Sequence, residues 1–134
     1  MMKSMLKCKI HRATVTDAVL HYEGSVTIDR TLMDAAGLVE YEQVHIWNVD
    51  NGNRFSTYAI EGEADSGVIC LNGAAARQVS KGDLVIIAAF SSYDEKELAH
   101  FQPTLVYVDR QNRITGVKRK VESESQRPRV AAVV

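Results

Sequence analysis

The stretch that most restricts what this chain can fold into is a pair of β-type runs, residues 44–49 and 54–60, around Asp50-Asn51-Gly52-Asn53. Asn-Gly tolerates the positive φ values of a tight turn, and the flanking runs are rich in β-branched and aromatic residues. The segment therefore reads as a β-hairpin. The same grammar recurs along the chain. Leu6, Cys8 and Ile10 alternate with Lys7, Lys9 and His11, a period of two that predicts a strand with one polar face. Residues 14–22 form a second β-type run, Val26-Thr27-Ile28 a third, and residues 68–71 a short strand ending at Asn72-Gly73. Ser80-Lys81-Gly82-Asp83 predicts a turn before a buried strand over 84–90, and residues 104–109 and 113–118 predict a final hairpin around Gln111-Asn112. Helical signals are few. Asp29 is a candidate N-cap for a helix over Arg30–Ala36 stopped by Gly37, residues 74–79 allow one or two turns, and 93–99 reads as a loop or short helix. Short strands separated by frequent turns predict a mainly β fold, a small barrel or sandwich.

A chain of 134 residues suits one domain. A net charge of −1 gives no basic footprint for nucleic acid. The longest apolar run, residues 84–90, falls well short of the ~20 residues that span a bilayer. Lys3, Lys7 and Lys9 have no apolar stretch behind them, so the start does not read as a secretory signal. Cys8 and Cys70 form no CxxC pair and read as buried free thiols, which fits a reducing cytoplasm. After residue 121 the chain turns to Glu, Ser, Gln, Arg and Pro, a composition that predicts a flexible tail over 122–134.

No Walker loop, dinucleotide fingerprint, zinc spacing or Gly-x-Ser-x-Gly elbow is present. His11, His21, His45 and His100 have no spacing that suggests a shared metal, so none is expected. A lone Gly-Ser would read as a turn. In His21-Tyr22-Glu23-Gly24-Ser25-Val26-Thr27-Ile28-Asp29, however, it resembles the processing segment of the aspartate 1-decarboxylases, whose Gly-Ser bond breaks itself. Lys9-x-His11-Arg12 is similar to that family's first strand. Ile46-Trp47-Asn48-Val49-x-Asn51-Gly52-x-Arg54-x-x-Thr57-Tyr58 is similar to its central hairpin. Asn72-Gly73-Ala74-Ala75-Ala76 and Gly82-Asp83 follow in family order, so the resemblance runs from about residue 5 to 109.

The resemblance implies a six-stranded double-psi β-barrel with short helices over residues 1–121, cut into 1–24 and 25–134. It implies decarboxylation of L-aspartate to β-alanine for pantothenate and coenzyme A synthesis, by a cytoplasmic homotetramer with active sites where subunits meet. A maturation factor is a candidate partner.

Chemistry supports this assignment. Loss of CO2 from an amino acid leaves a carbanion that needs an electron sink, and no dissociable cofactor is signalled. Serine can become a sink. Its hydroxyl attacks the preceding carbonyl and shifts the chain onto an ester; elimination frees the Gly24 carboxylate, and the dehydroalanine left behind hydrolyses to a pyruvoyl group. That ketone takes the substrate amine as a Schiff base. Glycine at 24 is expected to relieve crowding and to permit strained backbone angles. The oxyanion of the first step needs donors, and the resemblance assigns Thr57 and nearby amides to that task, with His11 close by. The bland reading of Thr57 is a β-branched strand residue.

A dicarboxylate substrate calls for a fixed cation, and Arg54 can hold a carboxylate in a two-bond fork. We place the side-chain carboxylate there, because pairing the departing one would stabilise the ground state. Lys9, otherwise a solvated lysine, would add to the pocket. Tyr58 is the family's proton donor; tyrosines titrate near ~10 and carry a proton at neutral pH. Arg54 and Tyr58 share parity on a regular strand, so Thr57 is expected to face away unless a bulge intervenes. By the same match Tyr22, Thr57, Asn72, Gly73, Ala74 and Ala75 line the substrate site, while Trp47 reads as core or interface packing. Two rival readings are a pyruvoyl decarboxylase for another acidic amino acid and a non-catalytic β-barrel module with an uncut chain.

Overall fold

The computed structural model describes residues 1–121, and the tail expected over 122–134 lies outside the described residues. The elements run β1 (Lys3–Thr14), β2 (Asp17–Val19), β3 (Ser25–Asp29), α1 (Arg30–Ala36), β4 (Gln43–Asn48) and β5 (Arg54–Gly62). They continue with β6 (Ile69–Asn72), a 3-10 helix (Gly73–Gln78), β7 (Leu84–Tyr93), α2 (Glu95–Leu98), β8 (Thr104–Val108) and β9 (Ile114–Lys118). The fold is mainly β with short helices, as expected.

The hydrogen-bonded order is β2-β6-β3-β5-β4-β7-β1-β8-β9. Six strands, β6-β3-β5-β4-β7-β1, are contiguous within it; β2 flanks one end and β8–β9 the other. Parallel pairs β1·β8, β2·β6 and β3·β5 sit among the antiparallel ones. Hairpins alone cannot generate parallel pairs, so these strands meet through long crossovers. One shared core holds them: Ile10, Val26, Ile28, Met33, Ile46, Leu71 and Ile87 are all fully enclosed. Burial of each such side chain contributes about 1.5–3 kcal/mol.

Local signals worked well where they were strong. Asp29 caps α1 by accepting from the Thr31 amide, and Gly37 ends it at φ 78°. β4 and β5 pair antiparallel from Gln43↔Tyr58 to Trp47↔Arg54. Two expectations needed correction. The run over 14–22 is not one strand: β1 ends at Thr14, β2 is short, and His21 to Gly24 form a loop. The strand over 84–90 is not buried throughout, because Ile86 is half-buried and Phe90 is exposed. Phe90 instead packs against His45 and Trp47 on the outer face, with ring centroids 5.4 and 6.3 Å away. Of the two free thiols, Cys8 is buried and Cys70 half-buried.

Candidate active site

Ser25 opens β3 directly opposite Asn72, the last residue of β6. β3 pairs with β5 only from Val26↔Ala59 onward, so residues 54–58 of β5 pair with β4 alone. Along this free edge lies a cleft of about 430 Å³, lined by Gly24, Thr57, Tyr58, Ala74 and Ala75, together with Phe55, Ser56 and Gln78. Its size falls in the range of about 300–1,000 Å³ usual for small-molecule pockets.

Burial alternates along β5: Arg54, Ser56 and Tyr58 are exposed, while Phe55 and Thr57 are partly covered. Thr57 does face away from Arg54 and Tyr58, as parity requires. Thr57 and Tyr58 still border one cleft, because a cleft beside a strand edge is reached from both faces.

Ser25 is 3% exposed and Asn72 4%. Ser25 Oγ accepts from Asn72 Nδ2 at 2.9 Å and donates to the Glu23 carbonyl at a long 3.5 Å. Asn72 Nδ2 also donates to Thr27 Oγ1 at 3.1 Å, and its Oδ1 accepts from Cys70 Sγ at 3.3 Å. Gly73 has φ 66°, and a Cβ there would lie 2.7 Å from Gly24 Cα and 2.8 Å from Gly24 N. Only glycine permits that approach. Gly24 itself has no left-handed φ, and beyond its chain neighbours, Ser25 among them, an added Cβ would meet no atom within 4 Å. The close approach to this segment from elsewhere in the chain is made by Gly73.

The remaining expected residues lie elsewhere in the chain. Arg54 stacks on Trp47, its guanidinium carbon 4.8 Å from the ring centroid, and it does not line the cleft. Trp47 is half-buried on the outer face against Arg54 and Phe90, outside the core cluster. Lys9 and His11 sit on β1, which β7 and β4 separate from β5. Lys9 is half-buried, and desolvation lowers its pKa. His11 lines a different hollow of about 230 Å³ with Arg12, Tyr107 and Arg110. The Tyr22 side chain is 68% exposed. Among residues the sequence reading omitted, Phe55, Ser56 and Gln78 border the cleft, and Thr27 and Cys70 hold Asn72. Position two residues from Ser25 or Asn72 on a strand was the available signal for Thr27 and Cys70; none marked Gln78.

The family model for aspartate decarboxylase matches residues 1–115. The aspartate 1-decarboxylase of Dehalococcoides mccartyi (strain ATCC BAA-2266 / KCTC 15142 / 195) is 61% identical over 121 residues, covering 90% of this chain and 98% of that protein. The aspartate 1-decarboxylase of Stenotrophomonas maltophilia (strain K279a) is 57% identical over 122 residues, covering 91% and 97%. That of Albidiferax ferrireducens is 59% identical over 114 residues, covering 85% and 84%. Similar solved structures include the rationally designed mkDPBB_sym_86 protein, with a TM-score of 0.44 and 17% identity over 57% of this chain and 90% of that one. On the extent and identity of these sequence matches, the chain belongs to the aspartate decarboxylase family.

Proposed function

We propose that this chain cuts itself between Gly24 and Ser25 and then decarboxylates L-aspartate to β-alanine and CO2, a step that supplies pantothenate and coenzyme A synthesis in the cytoplasm. The observation that carries the reading is a sheltered Ser25 hydroxyl, oriented by Asn72, beside a Gly24 that Gly73 packs against and that lines a cleft with Thr57 and Tyr58. In self-cleavage Ser25 Oγ attacks the Gly24 carbonyl carbon. Thr57, which lines one cleft with Gly24, and edge amides of β5 donate in this scheme to the oxygen that gains charge. His11 is the remaining processing candidate.

A pyruvoyl group at position 25 would supply the electron sink for CO2 loss. The residues present fit it, since the Asn72 amide that donates to Ser25 Oγ suits a carbonyl oxygen equally. No metal or dissociable cofactor enters the scheme. Tyr58 delivers the proton that replaces CO2, and Ala74 and Ala75 shape the wall. Arg54 holds the side-chain carboxylate of aspartate, with Lys9 adding positive charge and Tyr22 closing the pocket. Arg54, Lys9, His11 and Tyr22 do not line the cleft of a single chain, which supports a homotetramer whose sites form where subunits meet. A maturation factor is compatible with this scheme.

Intact mass of the purified protein is the direct test. Fragments 1–24 and 25–134 are expected, the larger without a free amino terminus, and Ser25→Ala should yield an uncut chain that releases no CO2 from aspartate. Active, processed Ser25→Ala protein would refute the scheme. Release of CO2 from glutamate in preference to aspartate would move the substrate assignment.

A further inference from the structure

Ser25, Thr27, Cys70 and Asn72 form a four-cornered polar patch on one face of the β3–β6 ribbon. Ser25 stands opposite Asn72 and Thr27 opposite Cys70, and residues two apart on a strand share a face. The intervening Val26, Ile28, Ile69 and Leu71 take the other face and are buried in the core. Asn72 is the hub of the patch, donating through Nδ2 to Ser25 and Thr27 and accepting through Oδ1 from Cys70.

An amide has one accepting end and one donating end. A hydroxyl serves either end, so Ser25 and Thr27 alone do not fix which way the group points. Cys70 biases the choice. Its Sγ lies 3.3 Å from Oδ1, and a thiol kept protonated by burial, and secondarily by Asp17, can donate there while its sulfur is a poor acceptor for an NH2 group. The NH2 end is then turned to Ser25. We propose that Cys70 and Thr27 are positioning residues for the attack of Ser25 on the Gly24 carbonyl, acting by holding the Asn72 amide with its NH2 against Ser25 Oγ.

This inference rests on the self-cleavage reading above. In the attack the Oγ–carbon bond forms, the Gly24–Ser25 carbon–nitrogen bond breaks, and the hydroxyl proton passes to the departing nitrogen; Asn72 neither gains nor loses a proton. Its task is geometric. The only other hydrogen bond described for Ser25 Oγ is the long one to Glu23, so the amide sets the side-chain rotamer. Without its anchors the amide swings, and the hydroxyl turns away from the carbonyl.

Cleavage of full-length precursor, followed by intact mass over a timed incubation, tests the idea. Thr27→Val and Cys70→Ala should each slow cleavage by roughly 2- to 10-fold, the range for one ordinary hydrogen bond. Thr27→Ser and Cys70→Ser, which keep a donor and acceptor, should stay near the wild-type rate. In an Asn72→Ala background neither Thr27→Val nor Cys70→Ala should slow cleavage further. A role in stability alone would instead lower the melting temperature and slow cleavage in both backgrounds. Wild-type rates for Thr27→Val and Cys70→Ala, or effects that add fully to Asn72→Ala, overturn the proposal while self-cleavage stands. A wild-type chain that stays whole yet active removes the self-cleavage reading and this inference together.

Discussion

Replacing Gly73 with alanine should slow processing by a route separate from its cost to the fold. The new Cβ would stand 2.7 Å from Gly24 Cα, whereas ordinary contact begins at 3.4 Å, so the two backbones must part by about 0.7 Å. That movement displaces Gly24 relative to Ser25 Oγ, which Asn72 holds from the other side. Misplacement of reacting atoms by ~1 Å can cost up to about 10²-fold in rate, and a shift of this size predicts cleavage at least tenfold slower. The fold pays separately: roughly 1–2 kcal/mol for alanine in the left-handed region and about 1–3 kcal/mol for overpacking. Gly37→Ala separates the two effects, because Gly37 has φ 78° with nothing within 4 Å of a Cβ. It should lose stability from backbone strain and keep normal cleavage. The assay pairs intact-mass time courses with thermal denaturation of both variants. Wild-type cleavage by Gly73→Ala, or equal slowing by Gly37→Ala, would refute the claim that Gly73 sets the Gly24–Ser25 geometry.

Two further outcomes are expected. Tyr58→Phe should still cut at Gly24–Ser25 but release CO2 about 10²- to 10⁴-fold more slowly, the usual contribution of a positioned proton donor; unaltered turnover would remove Tyr58 from that role. Burial raises the Cys8 thiol from its ordinary 9.0 to about 11, with Glu42 adding to the rise while Lys7 and the Ala89 backbone oppose it. A folded-state value above the unfolded one means stability is fully present below pH 9 and is lost as pH climbs toward 11. At ~1.4 kcal/mol per unit this amounts to about 2–3 kcal/mol. Denaturant titrations from pH 8 to 11 should show Cys8→Ala losing that much less than wild type, and parallel curves would contradict the assignment.

Self-contained local signals in the chain predicted several elements well. Asp29 and Gly37 bound α1 because a cap and a left-handed glycine act within a few residues, and Asn51-Gly52 sits in the β4–β5 connection for the same reason. Strand parity likewise foretold that Thr57 and Tyr58 face opposite ways. The motif blocks pointed to the family that the comparisons then identified. Tertiary structure decided what no local window contains. It put Gly73 against Gly24 across a separation of 49 positions, set Thr27 and Cys70 around Asn72, and opened the cleft where β3 stops short of the start of β5. It also left Arg54 stacked on Trp47 and outside the cleft's lining. Side-chain periodicity states which way a residue points relative to its own strand. Which strand stands opposite depends on crossovers such as β3·β5 and β1·β8, and those are fixed by burying one common core.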